Sequence, residues 1–145
     1  MNVVAAIAIG VATGSIVLMD WVPTPLNRNI AYSTARERLP GSLIHLAIGI
    51  LLLSLCGIGF EPALVVAAIW HGVVLALAAR NWWVPYFFDR YPGEITPEVY
   101  AHQYRRNLIV LPAFRGHAVI PDLQHMVIHA SIASACIASF VAAAI

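Results

Sequence analysis

The chain has 145 residues, of which 61% are hydrophobic and 10% charged, and its formal net charge is +1. A soluble domain carries about 25% charged residues. This composition excludes a water-soluble globular domain and predicts a single integral membrane domain, residues 1–145, in contact with the lipid bilayer. We expect no nucleic-acid partner.

Four apolar stretches predict four membrane-spanning helices, at residues 3–19, 42–60, 63–79 and 120–145. A spanning helix needs about 20 mainly apolar residues; Trp21 and Trp82 lengthen the two shorter stretches. The first stretch has no lysine or arginine before it, unlike a secretory signal, and we expect it to be retained. The predicted fold is therefore an all-α, integral membrane four-helix bundle.

The arginines predict the orientation in the membrane. Lysine is absent, and every basic residue lies in or beside the segments after the first and third stretches: Arg28, Arg36, Arg38, Arg80, Arg90, Arg105, Arg106 and Arg115. Cytoplasmic loops carry the excess of basic residues. We therefore expect a multi-pass protein of the cell membrane, with both long loops in the cytoplasm and both termini on the extracytoplasmic side. An interfacial belt of aromatic residues is expected on the same side: Trp21, Trp82, Trp83, Tyr86 and Tyr91.

The two long loops share a spaced pattern. Thr24-Pro25, Tyr32 and Leu39-Pro40 recur as Thr96-Pro97, Tyr104 and Leu111-Pro112. This indicates two tandem-duplicated helical hairpins, with halves 1–62 and 63–145.

The Thr-Pro pairs also predict short cytoplasmic interfacial helices. Threonine is a good N-cap and proline suits the first helical position, so we expect helices at residues 25–38 and 97–110, ended by Pro40 and Pro112. In the interfacial helix predicted at residues 97–110, residues spaced four apart would form one face toward the membrane: Tyr100, Tyr104 and Leu108.

Ionisable side chains inside a membrane are costly and mark functional sites. Four histidines fall within the predicted spans, and Asp122, His125 and His129 lie on one face of the fourth helix. We therefore expect a histidine-lined intramembrane site for a transition metal (Zn, Fe or Cu) or haem, serving redox or metal-dependent chemistry. The predicted cofactor-binding residues are His45, His71, His125 and His129, and the predicted metal ligands are His71, His125, His129 and Asp122. The loop residues His102 and His117 are expected to be solvated.

Two other functions fit the same sequence. One is a small membrane transporter in which the histidines relay protons. The other is an accessory structural subunit of a membrane complex, or a homo-oligomer, in which ridges of small residues on the fourth helix pack against partners. The sequence indicates no catalytic residue and does not decide whether the protein is an enzyme.

Overall fold

The computed structural model describes residues 2–145, and this part of the chain contains helices and loops only. Four helices are long and apolar enough to cross a membrane: α1 (Val3–Trp21), α2 (Ala35–Gly57), α3 (Pro62–Phe88) and α4 (Leu123–Ala144). The chain is thus a multi-pass membrane protein, and the predicted all-α fold with four spanning helices is confirmed.

The four helices pack together, with α4 in contact with both α1 and α3, and α1 in contact with α2. Their inner faces carry small buried side chains, among them Ala12, Ala67 and Ala135, which let helices approach closely. Large apolar side chains such as Ile69 and Phe140 are exposed on the outer surface. In a bilayer this outer surface contacts lipid.

Both long loops, residues 22–34 and 89–122, lie at one end of the bundle, which we call the loop side. There the Asn29 backbone N–H donates to the Asn107 side-chain oxygen at 2.9 Å and joins the two loops. The short turn between α2 and α3 lies at the other end, near Asn2 and Ile145.

The predicted interfacial helix at residues 25–38 is wrong. Only a short 3-10 turn, Arg28–Tyr32, forms there, and α2 begins at Ala35 and continues through Pro40. A capping box fixes this start: the Glu37 N–H donates to the Thr34 hydroxyl at 3.3 Å, and the Thr34 N–H donates to the Glu37 carboxylate at 2.7 Å. Pro40 lies close to this capped end, and its missing N–H removes only one helical hydrogen bond.

The shared spacing of the two loops does not produce shared structure at the Leu-Pro pairs. Leu39-Pro40 lies inside α2, whereas Leu111-Pro112 lies in an irregular part of the second loop. The duplication into halves 1–62 and 63–145 is not shown and stays a prediction.

Two π-helical turns change which aromatic side chains are buried. One is Ala79–Trp83 within α3, and the other is Tyr100–Tyr104, which follows the short helix Pro97–Val99. The predicted second interfacial helix therefore ends at Tyr104 rather than at residue 110. A π turn adds a residue to the helical repeat and re-aims the side chains that follow. Trp82, Tyr86 and Tyr100 are buried in the structure, which corrects the prediction that they form a belt or face the membrane.

We predict that Gly49→Ala destabilises the contact between α1 and α2. A Cβ atom at Gly49 would lie 2.9 Å from the Cβ of Thr13, and Thr13 is β-branched and has little rotamer freedom to move away. We expect a loss of about 1–3 kcal/mol, measured by thermal unfolding in detergent. Gly41→Ala is the matched control, because a Cβ there has open space in the same helix. Equal unfolding temperatures for the two variants would disprove the close contact.

Candidate functional site

An aromatic cage surrounds His125 in the first turn of α4. The His125 ring stacks on Trp82 with ring centroids 3.8 Å apart and planes inclined by 29°, and Tyr104 meets it edge-on at 5.2 Å. Trp82 comes from the π turn in α3 and Tyr104 from the π turn in the second loop. The π turn in α3 and the π turn in the second loop thus each contribute one aromatic ring to the cage around the His125 imidazole.

Asp122 is the N-cap of α4 and is completely buried. Its Oδ1 accepts from the His125 backbone N–H at 3.0 Å and lies 2.9 Å from His125 Nδ1. Its Oδ2 accepts from Asn107 Nδ2 at 2.8 Å. A carboxylate only accepts hydrogen bonds, so His125 carries its proton on Nδ1. Within residues 2–145, this is the one place where an acidic and a basic side chain lie within ion-pair distance.

A chain of amides links this pair to the loop side. Asn107 Nδ2 also lies 3.2 Å from Gln124 Oε1 and 3.2 Å from Asn29 Oδ1. Asn107 and Gln124 are buried, whereas Asn29 is half-buried in the first loop. The buried carboxylate is therefore connected by hydrogen bonds to a residue near the surface.

His129 lies one turn deeper in α4, and its ring centroid is 6.0 Å from that of His125. The Trp83 indole N–H donates to His129 Nδ1 at 3.1 Å. Because an indole nitrogen cannot accept, Nδ1 is unprotonated and the neutral ring carries its proton on Nε2. In this geometry His129 has no free lone pair for a metal ion.

His45 and His71 lie where α2 and α3 meet. His71 is buried and its Nδ1 donates to the Ala67 carbonyl at 2.7 Å, which leaves Nε2 of the neutral ring unprotonated. His45 is half-buried against Trp70, with ring centroids 5.6 Å apart. Of the predicted site residues, the structure thus brings Asp122, His125 and His129 together.

The predicted metal centre is not supported by the part of the chain that the structure describes. Across residues 2–145, no three side chains of histidine, cysteine, aspartate or glutamate form a group able to hold one ion. The predicted ligand set of His71, His125, His129 and Asp122 does not converge on a common point.

Burial raises the pKa of Tyr104 to about 12, and the nearby charge of Asp122 acts in the same direction. The phenol is therefore neutral at physiological pH. Its ring forms a wall against His125, and its hydroxyl does not act as a base there.

His117 was expected to be solvated, and this expectation is wrong. It is half-buried, and its Nδ1 donates to the Tyr86 carbonyl at 2.7 Å. The Tyr86 hydroxyl in turn donates to the Pro112 carbonyl at 3.0 Å. These two bonds attach the second loop to the end of α3 and so help to close the cage around His125.

No family model, no curated protein and no solved structure matches this chain. A function for the protein is therefore argued from the contacts of the site itself.

Proposed function

We propose that this membrane protein moves protons, with the Asp122–His125 pair as the group that takes up and releases each proton. One observation carries this proposal. His125 donates Nδ1–H to a completely buried carboxylate, so Nε2 of the neutral ring is the atom free to accept a second proton. Histidine is the side chain whose ordinary pKa allows this exchange near neutral pH.

The surroundings of His125 suit both of its protonation states. The charged ring is stabilised by the Asp122 carboxylate through a charge-assisted hydrogen bond. The face of Trp82, stacked at 3.8 Å, favours a cation as well. The neutral ring keeps the same Nδ1–H bond, so gain or loss of the Nε2 proton needs no rearrangement of the pair.

Polar side chains continue from this pair along the inner face of α4. His129 is the next ring, and the hydroxyls of Ser131 and Ser15 lie 2.8 Å apart between α4 and α1. Ser139 is completely buried, and its hydroxyl has no partner among the described residues. The rise from Asp122 to Ser139 is about 25 Å at 1.5 Å per residue, against a hydrocarbon thickness of about 30 Å. These polar groups support a path from the loop side to about the level of Ser131, and about 12 Å of helix rise then separates Ser131 from Ser139.

We further propose that the loop side faces the cytoplasm, since all the arginines lie in or beside its loops. A topology reporter fused after Ile145 should then be active outside the cytoplasm, and one inserted in the second loop, at Gly93, should be active inside it. The reverse pattern would contradict this orientation.

Proton movement is tested in liposomes that contain the purified protein, a trapped pH-sensitive dye and an imposed potassium diffusion potential. We expect the internal pH to change faster than in protein-free liposomes of the same lipid. Equal rates in the two preparations would contradict the proposed function.

A second candidate function, cofactor binding, is favoured by His71 alone. Histidines that bind metals usually donate their other ring N–H to a carbonyl or carboxylate, and His71 does so to Ala67. Haem needs only one or two axial histidines, so it does not require a three-ligand group of the kind not found among residues 2–145. A Soret band in the wild-type protein that is lost in His71→Ala would support this function, and a protein purified without haem or stoichiometric metal would contradict it.

A further inference from the structure

A basic cavity of about 560 Å³ lies on the loop side, where the two long loops meet. Its walls come from the 3-10 turn of the first loop and from the π turn and following residues of the second. The lining residues are Tyr32, Ala101, His102, Arg105 and Arg106. None of them is acidic, so the cavity has the lining expected for an anion.

The two arginines of this cavity have no acidic partner. Among residues 2–145, no carboxylate lies within ion-pair distance of Arg105 or Arg106. The Arg106 guanidinium lies 4.7 Å from the centre of the Tyr32 ring and donates to the Tyr32 hydroxyl. Tyr32 thereby holds this guanidinium at the cavity without neutralising its charge.

Two other arginines of the loop side also lack an acidic partner among the described residues, but they donate to backbone carbonyls instead. Arg38 donates to the carbonyls of Ile30 and Ser33, both at 2.9 Å, and Arg80 donates to the carbonyl of Pro92. Those guanidinium groups attach loops to helices and have a structural role. Arg105 and Arg106 are exposed, and their remaining donors are directed to no backbone carbonyl of the described chain.

We propose that this cavity binds the phosphate group of an anionic membrane lipid. A guanidinium is planar and presents paired N–H donors that match a phosphate, and its charge is not lost at any physiological pH. Basic pockets at the membrane surface of multi-pass proteins are suited to lipid headgroups. The proposal is independent of proton movement by the Asp122–His125 pair.

An adjoining cavity favours a lipid over free phosphate. It shares Tyr32 and Arg106 with the basic cavity and extends toward the end of α1, with Pro23, Ile30 and Ala31 among its lining residues. These apolar groups can contact the glycerol and upper acyl region of a lipid whose phosphate is held by the arginines. A free phosphate ion makes no use of them.

The proposal is tested by native mass spectrometry of the purified full-length protein in detergent. Phosphatidylglycerol and phosphatidylcholine with identical acyl chains are the two probes. We expect phosphatidylglycerol to bind at least about tenfold more tightly, because both headgroups carry a phosphate but only phosphatidylcholine adds a quaternary ammonium that the two guanidinium charges repel. The double variant Arg105→Gln/Arg106→Gln should lose this preference. Arg90→Gln, which removes an exposed arginine outside both cavities, should bind like the wild type.

Three outcomes would overturn the proposal. The first is equal binding of the two lipids by the wild type. The second is an unchanged preference in the double variant, with its fold checked by circular dichroism. The third is full displacement of phosphatidylglycerol by inorganic phosphate at equal concentration, which would assign the cavity to the free ion. Arg105→Lys/Arg106→Lys provides a further variant, and it should keep part of the preference because it retains charge but loses the planar fork.

Discussion

Replacing Asp122 with alanine should destabilise the protein more than any other single substitution in the site. The change leaves the His125 Nδ1–H and the His125 backbone N–H without their acceptor at a completely buried position. Asn107 Nδ2 loses its shortest bond and keeps only its contacts at 3.2 Å. Leaving a buried donor without its acceptor costs about 1–3 kcal/mol, and loss of the N-cap costs about 1 kcal/mol more. The measurement is thermal unfolding in detergent, followed by tryptophan fluorescence.

Two further variants make the Asp122 prediction specific. Asp122→Asn keeps an oxygen that can cap α4, and we expect a smaller loss of stability than with alanine. Glu61→Ala removes an exposed carboxylate that makes no capping bond at the start of α3, and it should leave stability within about 0.5 kcal/mol of wild type. If Asp122→Ala unfolds at the same temperature as Glu61→Ala, the buried network does not hold the loop side together.

Replacing His125 with glutamine should reduce proton movement in liposomes at least about tenfold, which is at the lower end of what a positioned acid–base group contributes. Glutamine can still donate a hydrogen bond to Asp122, so the fold is expected to survive, but its amide neither takes up nor releases a proton near neutral pH. The measurement is the initial rate of internal pH change at equal protein content.

His45→Gln is the matched control for this prediction. His45 also lies in a membrane-spanning helix, but its ring is against Trp70 at the contact of α2 and α3 rather than in the Asp122 network. The initial rate of internal pH change with His45→Gln should equal that with the wild type. An unchanged rate in His125→Gln, with the protein correctly inserted, would remove this histidine from any proton path.

The four long helices could be predicted because each is a continuous apolar run, and burial in lipid depends on that property alone. The start of α2 could not be predicted from apolarity, since Ala35–Pro40 is polar and its helix depends on the Thr34 capping box. Pro40 was expected to end a helix, but the capping box starts α2 before it and the helix continues through Pro40.

The grouping of Asp122, His125 and His129 could be predicted because all three lie on one helix, where spacing alone determines the face. The partners of these residues come from distant segments. Trp82 and Trp83 reach the site through a π turn in α3, and a π turn has no reliable signal in sequence spacing.

Asn107 was missed for a different reason. It lies in an irregular loop, and its amide becomes important only because the fold places it 2.8 Å from the buried carboxylate. The predicted metal site also depended on a contact from a distant segment. Spacing on one helix does not reveal that the Trp83 indole N–H occupies the His129 Nδ1 lone pair.

The most direct measurement is nitrogen-15 nuclear magnetic resonance of the histidine ring nitrogens in the membrane-reconstituted protein, with His125→Gln and His129→Gln used to assign the signals. For the neutral form of each ring we predict a protonated Nδ1 and a free Nε2 in His125, and an unprotonated Nδ1 in His129. On acidification, His125 Nε2 should gain a proton while its Nδ1–H remains bonded to Asp122. A His125 ring whose signals do not change with pH, or whose Nδ1 is unprotonated, would contradict the assignment of the Asp122–His125 pair as the proton-exchanging group.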